Sequence, residues 1–311
     1  MNREADVIIV GAGVAGLKAA QELVDAGRSV IVLEANERAG GRLKRVEVGG
    51  YVGDVGGQWV GKGHDMLLGE AKRFGIATYE QYESGKTLLQ LLGKLVSFTG
   101  AVPKMPVLAL LELALLQRRW QRDAKTLPAD APWMAERAED WDSITLESWI
   151  IAHIRTKAAR EFARLVPRGA WAAEARQVSY LWFLDALRSA GGLDYLMGVK
   201  GGALDAKFKG GMQQIPQRMA QALGDRVMRG TPVEKIIHES NGVRVVTPKG
   251  EFLGRFAIVS APPAAAARIR YEPHLPAARD GLQQRVPMGA IIKIIATYST
   301  AFWSTAGFSG Q

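Results

Sequence analysis

The chain has 311 residues, enough for about two domains, and its 48% hydrophobic and 23% charged residues have the balance of a globular protein. It has no cysteine, which excludes a disulfide framework, thiolate metal sites and a cysteine nucleophile, and which fits a reducing, cytoplasmic setting. The formal charge is +9, but the basic residues are spread along the chain and no recognition motif accompanies them, so nucleic acid is not an expected partner.

The segment "ADVIIV" (5–10) reads as a buried strand, and "GAGVAG" (11–16) follows at once. "LKAAQELVDAG" then reads as a helix with Gly27 as its stop, and "SVIVLE" (29–34) as a second buried strand. This is a strand-helix-strand unit with a glycine-rich first crossing. Gly11 allows the tight turn, Gly13 lets backbone approach a pyrophosphate, and Gly16 lets helix and strand pack closely. The helix start offers free N–H groups and partial positive charge to phosphates. Glu34 ends the second strand, where a carboxylate can accept from both hydroxyls of a ribose. The pattern predicts dinucleotide binding.

Further on, "DVGGQWVGKGHD" (54–65) sets Trp59 among glycines that let the chain approach a flat group. The run "VLALLELALL" (107–116) is too short for a bilayer, which takes about 20 residues, and reads as a buried helix. No signal-peptide pattern opens the chain, and membrane contact is not expected. "RRWQRDAK" (118–125) reads as a solvated helix face. Thr145 is placed to cap a helix, and "VSYLWFLDALRSAGGLDYLM" (178–197) reads as an apolar helix broken at Gly191 and Gly192. "TPVEKIIHESNGVRVVTPKGEF" reads as a hairpin turning at Asn241–Gly242, and "FAIVSAPP" as a buried strand stopped by proline. "PMGAIIKIIATYS" (287–299) reads as a strand in a sheet covered on both faces, except for Lys293. Ile291, Lys293 and Ile295 would share one face of it. The four histidines show no metal-ligand spacing, so no metal is expected.

"EANERAGGRLKR" (34–45) resembles the E-A-x-x-R-x-G-G-R signature of glutathione-reductase-type FAD proteins, in particular their amine oxidase branch. The 54–65 segment resembles the D-x-G-G-x-[WY]-x-G stretch of flavin monoamine oxidases. "GGALDAKFKGGMQQ" resembles their G-G-[AG]-Q-x-x-[KR]-F-x-G-G-x-x-Q, and "VPMGAIIK" their M-G-x-[IV]-I-K. The resemblance runs from Asp6 to Gln311 and implies a flavin-containing monoamine oxidase with FAD as cofactor. The implied fold is α/β: a Rossmann-like FAD-binding domain at 1–80 and 210–285, and a discontinuous mixed α+β substrate domain at 81–209 and 286–311.

The implied cofactor contacts, beyond Gly11, Gly13, Gly16 and Glu34, come from Val14, Ala15, Ala35, Arg38, Gly41, Arg42, Gly57, Gln58, Trp59 and Val60. Val233 would meet the adenine end through its backbone. Lys293 would hold a water against flavin N(5) as the catalytic residue. Met197 and Leu204 would line the substrate pocket, where Leu204 replaces the family's glutamine. The implied partners are a small-molecule amine and dioxygen, with a homodimer allowed. The implied chemistry takes amine to imine and then aldehyde, and dioxygen to hydrogen peroxide. An amino-acid oxidase or desaturase shares the N-terminal motifs, and a non-catalytic flavoprotein fragment stays an alternative. Relatives continue past the equivalent of Gln311 with the rest of the substrate sheet and a last FAD segment, so a truncated product or a partial sequence is expected.

Overall fold

The structure is a computed structural model that describes residues 3–100 and 102–310. Its first strand, β1 (Arg3–Val10), shows how the sequence builds the centre. Side chains alternate across a strand, so Val7 and Ile9 enter one apolar cluster while Ile8 and Val10 enter another on the opposite face. All four are buried, as the unbroken apolar run predicts.

Helix α1 (Val14–Asp25) follows and packs on the Val7/Ile9 face beside the helix Gln214–Leu223. It stops where the sequence places its glycine. Gly27 takes φ +74°, its N–H donates to the Val24 carbonyl and that of Arg28 to Leu23, which satisfies the last open carbonyls. The chain then enters β2 (Val30–Leu33), parallel to β1 with Ile8 beside Ile31.

These two strands lie within a seven-stranded sheet. Gly250–Val259 flanks β1 in parallel, and Val227–Met228 flanks β2. Gly242–Thr247 and Lys235–Glu239 extend the sheet as the expected hairpin, and Arg270–Glu272 closes that side. The parallel strands β1, β2 and Gly250–Val259 therefore present their C-terminal ends together, the place where open α/β sheets take ligands.

A third apolar cluster is helical. Trp120, Trp149, Tyr180 and Phe183 form its centre, with Trp120 meeting Phe183 edge-on at 4.6 Å and Trp149 stacked on Tyr180 at 4.7 Å. Thr145 caps the helix Leu146–His153 by accepting the Ser148 N–H at 3.1 Å, as its position predicts. The apolar stretch after it breaks into Tyr180–Ser189 and Leu193–Met197 at Gly191 and Gly192, both at positive φ. Among the described residues no helix is long and apolar enough to cross a membrane.

Two expectations fail outright, and "FAIV" (256–259) does form the end of the strand Gly250–Val259 but is not buried, since the alternate side chains Phe256 and Ile258 point to a face left open, Phe256 being 62% exposed. The apolar run 107–116 does open a helix, Val107–Lys125, but that half is not buried. Ala109 and Leu116 face the cluster while Val107, Leu108, Leu111 and Leu115 face outward, because one helix packed on one neighbouring surface covers only one face.

The second failure is 287–299, which forms no strand. A β-branched run becomes a strand only where a neighbour offers an edge of free N–H and C=O groups, and no strand among the described residues pairs with it. Ile292 and Ile294 are 89% and 87% exposed as a result. Its alternation partly survives, since Ile295 packs on Gly53 and Thr297 on Gly49.

Phe183 tests the helical core. It is fully buried between Trp120 and Trp171. Phe183→Ala should lower stability by about 3–5 kcal/mol, read as an earlier urea midpoint. An unchanged midpoint would show that this cluster does not hold the fold.

Candidate active site

The backbone of Ala12 ties three segments together. Its N–H donates to Glu34 Oε2 at 2.8 Å, and its carbonyl accepts the Gly40 N–H at 2.8 Å. Glu34 is buried, and its Oε1 accepts both the backbone N–H and the side-chain amide of Asn36 at 2.9 and 2.7 Å. A carboxylate has about four acceptor positions. Three are used here. The geometry thus leaves capacity for about one ribose hydroxyl unless Asn36 yields.

Gly16 is fixed by close approach, because a Cβ there would lie 2.1 Å from the Gly11 carbonyl oxygen. Ser260 closes the back of the turn by donating to the Val10 and Gly11 carbonyls. Gly13 differs, since a Cβ there would meet nothing within 4 Å. Gly13 precedes α1, which has no side-chain cap and no acid in its first turn. Its first N–H groups, those of half-buried Val14 and exposed Ala15, have no hydrogen-bond partner among the described residues.

The second glycine pair lies against this opening. Gly41, at φ +55°, would put a Cβ 3.5 Å from Gly13 Cα. Arg38 donates to the carbonyls of Leu43 and Gly41, both at 2.9 Å, so its guanidinium shapes the loop. Arg42 is exposed and has no side-chain partner among the described residues. On the Glu34 side, Thr231 N–H donates to the Glu34 carbonyl and brings up Val233. The backbone N–H and carbonyl of Val233 have no partner among the described residues, and Ala35 is exposed beside them.

From Arg42 the path continues to the tryptophan motif. A Cβ on Gly56 would lie 2.0 Å from the Arg42 carbonyl oxygen, and Gly57 N–H donates to that oxygen at 3.3 Å. Gln58 is half-buried. Trp59 is 39% exposed, with its indole N–H on Gln81 at 3.1 Å. Val60 is buried and exchanges both backbone hydrogen bonds with Ala206.

Lys293 reaches this point although its segment is not a strand. Nζ donates to the carbonyls of Asp54 at 3.1 Å and Gly56 at 3.0 Å, and lies 5.9 Å from the Trp59 ring centre. Burial pushes its pKa down, and the Asp54 carboxylate opposes that. Lys207 lies 5.5 Å from the same ring. Burial, then the Lys293 charge, pushes Lys207 down, again against Asp54. Burial in turn raises the Asp54 carboxyl, against the Met212 N–H that it accepts at 3.0 Å.

Met197 and Leu204 lie farther along. Met197 touches Gly169, and Leu204 donates its N–H to Gly198. Their segment reaches Trp59 through the Val60–Ala206 pair and through Gly61 packed on Gly202. Sequence reasoning missed Asp54, Lys207 and Ser260 as site residues. Asp54 and Lys207 stand inside quoted motifs, which was the available signal; Ser260 had only its position at the end of a strand.

These groups fit an extended dinucleotide: an unspent helix start in the middle, a buried carboxylate with free backbone polar groups at one end, and an aromatic ring beside an ammonium at the other. The fold and its row of open positions define a flavoprotein that binds FAD on a glutathione-reductase-type α/β domain.

Sequence comparison agrees. The profile of the flavin containing amine oxidoreductases matches residues 14–311, and the chain belongs to that family. It is 38% identical over 311 residues to amine oxidase [flavin-containing] A of Equus caballus, covering 98% of this chain and 59% of that one. The structure of wild-type putrescine oxidase bound to putrescine superposes with a TM-score of 0.93 at 32% identity, over 99% of this chain and 69% of that one. Cyclohexylamine oxidase from Brevibacterium oxydans superposes with a TM-score of 0.90 at 29% identity, over 98% and 68%. The chain thus spans between 58% and 68% of the length of the curated relatives it matches.

Lys207 gives a test in solution. Its folded pKa lies below the ordinary 10.5, so in the window just under that value the unfolded chain binds more protons. Wild-type stability gains from Lys207 as pH rises through that window. Lys207→Met should be the more stable protein at about pH 7 and should lose that part of the rise towards about pH 10. Urea unfolding at the two pH values reads this, and equal pH dependence in both proteins would show a fully solvated Lys207.

Proposed function

We propose that this chain carries the cofactor-binding part and the reactive end of an FAD-dependent amine oxidase. FAD, when bound, takes up the hydride equivalent from the amine α-carbon and passes the electrons to dioxygen. The observation that carries the reading is Lys293, held by two backbone carbonyls of the glycine segment at the end of the open row.

The residues divide the work. The start of α1 with Gly13 and Gly41 receives the diphosphate, and exposed Arg42 adds a cation beside it. Glu34 and the Val233 backbone hold the adenosine end. Arg38 and Ser260 hold the loops. Gly57, Gln58, Trp59 and Val60 carry the chain along the flavin ring.

Lys293 has three N–H donors. Two are spent on Asp54 and Gly56. The third is left to hold a water at the reactive edge, and the charge favours negative charge developing there. Lys207 and Lys293 both repel a cation from the Trp59 ring, so the amine reacts as its neutral form. Leu204 gives the pocket an apolar wall and favours apolar amines. The imine product hydrolyses to the aldehyde.

The purified protein, loaded with FAD, should lose its visible flavin absorption when a neutral primary amine is added without oxygen, and regain it in air. Lys293→Met should bleach at a similar rate but recover at least about tenfold more slowly, as when about 1.4 kcal/mol of transition-state stabilisation is lost. Stopped-flow separates the two phases. Bleaching by amino acids but not amines would move the chain to the amino-acid oxidases, no bleaching would leave a flavin-binding fragment, and equal recovery rates would remove Lys293 from the reaction.

A further inference from the structure

The helical part holds a separate cavity of about 630 Å³ that shares no residue with the cofactor row. Arg119 and Arg122 enter it one turn apart from the helix Val107–Lys125, and Arg137 enters from the start of the helix Ala138–Asp142. Three guanidiniums converging on one space repel each other, so the accounting of their partners matters.

Arg122 is satisfied. It donates through Nε and Nη2 to Asp123 Oδ1 at 3.0 and 2.8 Å, and Asp123 also accepts the buried Tyr180 hydroxyl. Arg137 lies over the Trp141 ring at 5.0 Å and approaches the exposed Asp140 only to 4.0 Å. Arg119 has no partner among the described residues. Asp123 and Asp140 face the three guanidiniums here, and Glu112, which lines the adjoining pocket with Arg119, spends its oxygens on the Arg155 and Thr156 N–H groups and the Thr156 hydroxyl, so the Arg119 donors are left free.

The remaining wall is Ser143, Ile144 and His153 with the buried rings of Trp141 and Trp149. Trp149 is covered on one ring face by Tyr180 at 4.7 Å and on the other by His153 at 4.0 Å. What remains of its ring for the cavity is its edge, the positive part of an aromatic quadrupole. His153 Nδ1 lies 2.8 Å from the Trp149 carbonyl oxygen. A carbonyl can only accept, so Nδ1 carries the hydrogen, and Nε2 has no hydrogen-bond partner among the described residues.

We propose that this cavity binds a small organic carboxylate with an apolar body. Arg119 takes the carboxylate with Arg137 beside it, since the guanidinium fork matches carboxylate geometry. The apolar body lies against Ile144 and what Trp141 and Trp149 offer of their rings. A bare inorganic anion would leave these apolar groups uncovered, and an amine would meet uncompensated positive charge. The volume falls in the usual range for small-molecule sites, about 300–1,000 Å³.

The test is calorimetric titration of the FAD-loaded full chain with benzoate, with benzylamine and inorganic phosphate as comparison probes. Benzoate should bind saturably and more tightly than either. Arg119→Gln should weaken benzoate by about tenfold or more, the scale of one charge-assisted pair, with flavin content and melting temperature unchanged because Arg119 is exposed. Arg118→Gln, outside the cavity lining, should leave the affinity as in wild type. The proposal is overturned if benzoate shows no saturation up to about 10 mM, if Arg119→Gln binds it as wild type does, or if phosphate binds as tightly as benzoate.

Discussion

The peptide of Ala12 carries the constraint on which the cofactor half depends. Its donor meets a buried carboxylate at the end of β2, and its acceptor meets the first residue of the second glycine pair. One residue therefore sets the relation between the first turn, the second strand and the second turn. Glu34 can serve there only because its other oxygen is occupied by Asn36, which limits the cost of burying the charge. The arrangement leaves the N–H groups at the start of α1 unspent, and unspent donors suit an anion.

Everything towards the reactive end is positioned from that point by backbone contacts. Gly41 lies against Gly13, Arg42 runs directly into Gly41, and the Arg42 carbonyl lies against Gly56 and Gly57. Lys293 then closes on the carbonyls of Asp54 and Gly56. Its segment has no ladder partner among the described residues, yet the side chain reaches its place because Ile295 and Thr297 pack along the same side. A half-buried ammonium, Lys207, and an exposed one, Lys293, about one ring leave a site that favours developing negative charge and disfavours a second cation.

What was legible in the sequence was local. The strand-helix-strand unit, its glycines and the acid at its end follow from backbone sterics and short-range hydrogen bonds that residue types alone dictate. Thr145 and the Gly191–Gly192 break were legible for the same reason. The 287–299 segment was misread because β-branched residues state a preference for a strand, while the strand itself needs a neighbour supplied by other parts of the chain. The outward leucines of Val107–Lys125 were misread because an all-round apolar stretch does not say which side its neighbours cover. Lys207 and Asp54 acquire their meaning from Lys293 and Met212, 86 and 158 residues away in the chain, and no local pattern reports such pairs.

The central claim is that the space in front of Gly13 belongs to a diphosphate, and Gly13→Asp tests it most directly. The protein has room there, Gly13 has φ −76°, and an aspartate at this position can cap α1. The account predicts an apo-protein as stable as wild type, or more so by a few tenths of a kcal/mol, with FAD binding abolished by bulk and like charge. Melting curves without FAD and flavin-fluorescence titration with it give both readings. A Gly13→Asp protein that binds FAD as wild type does would contradict the account.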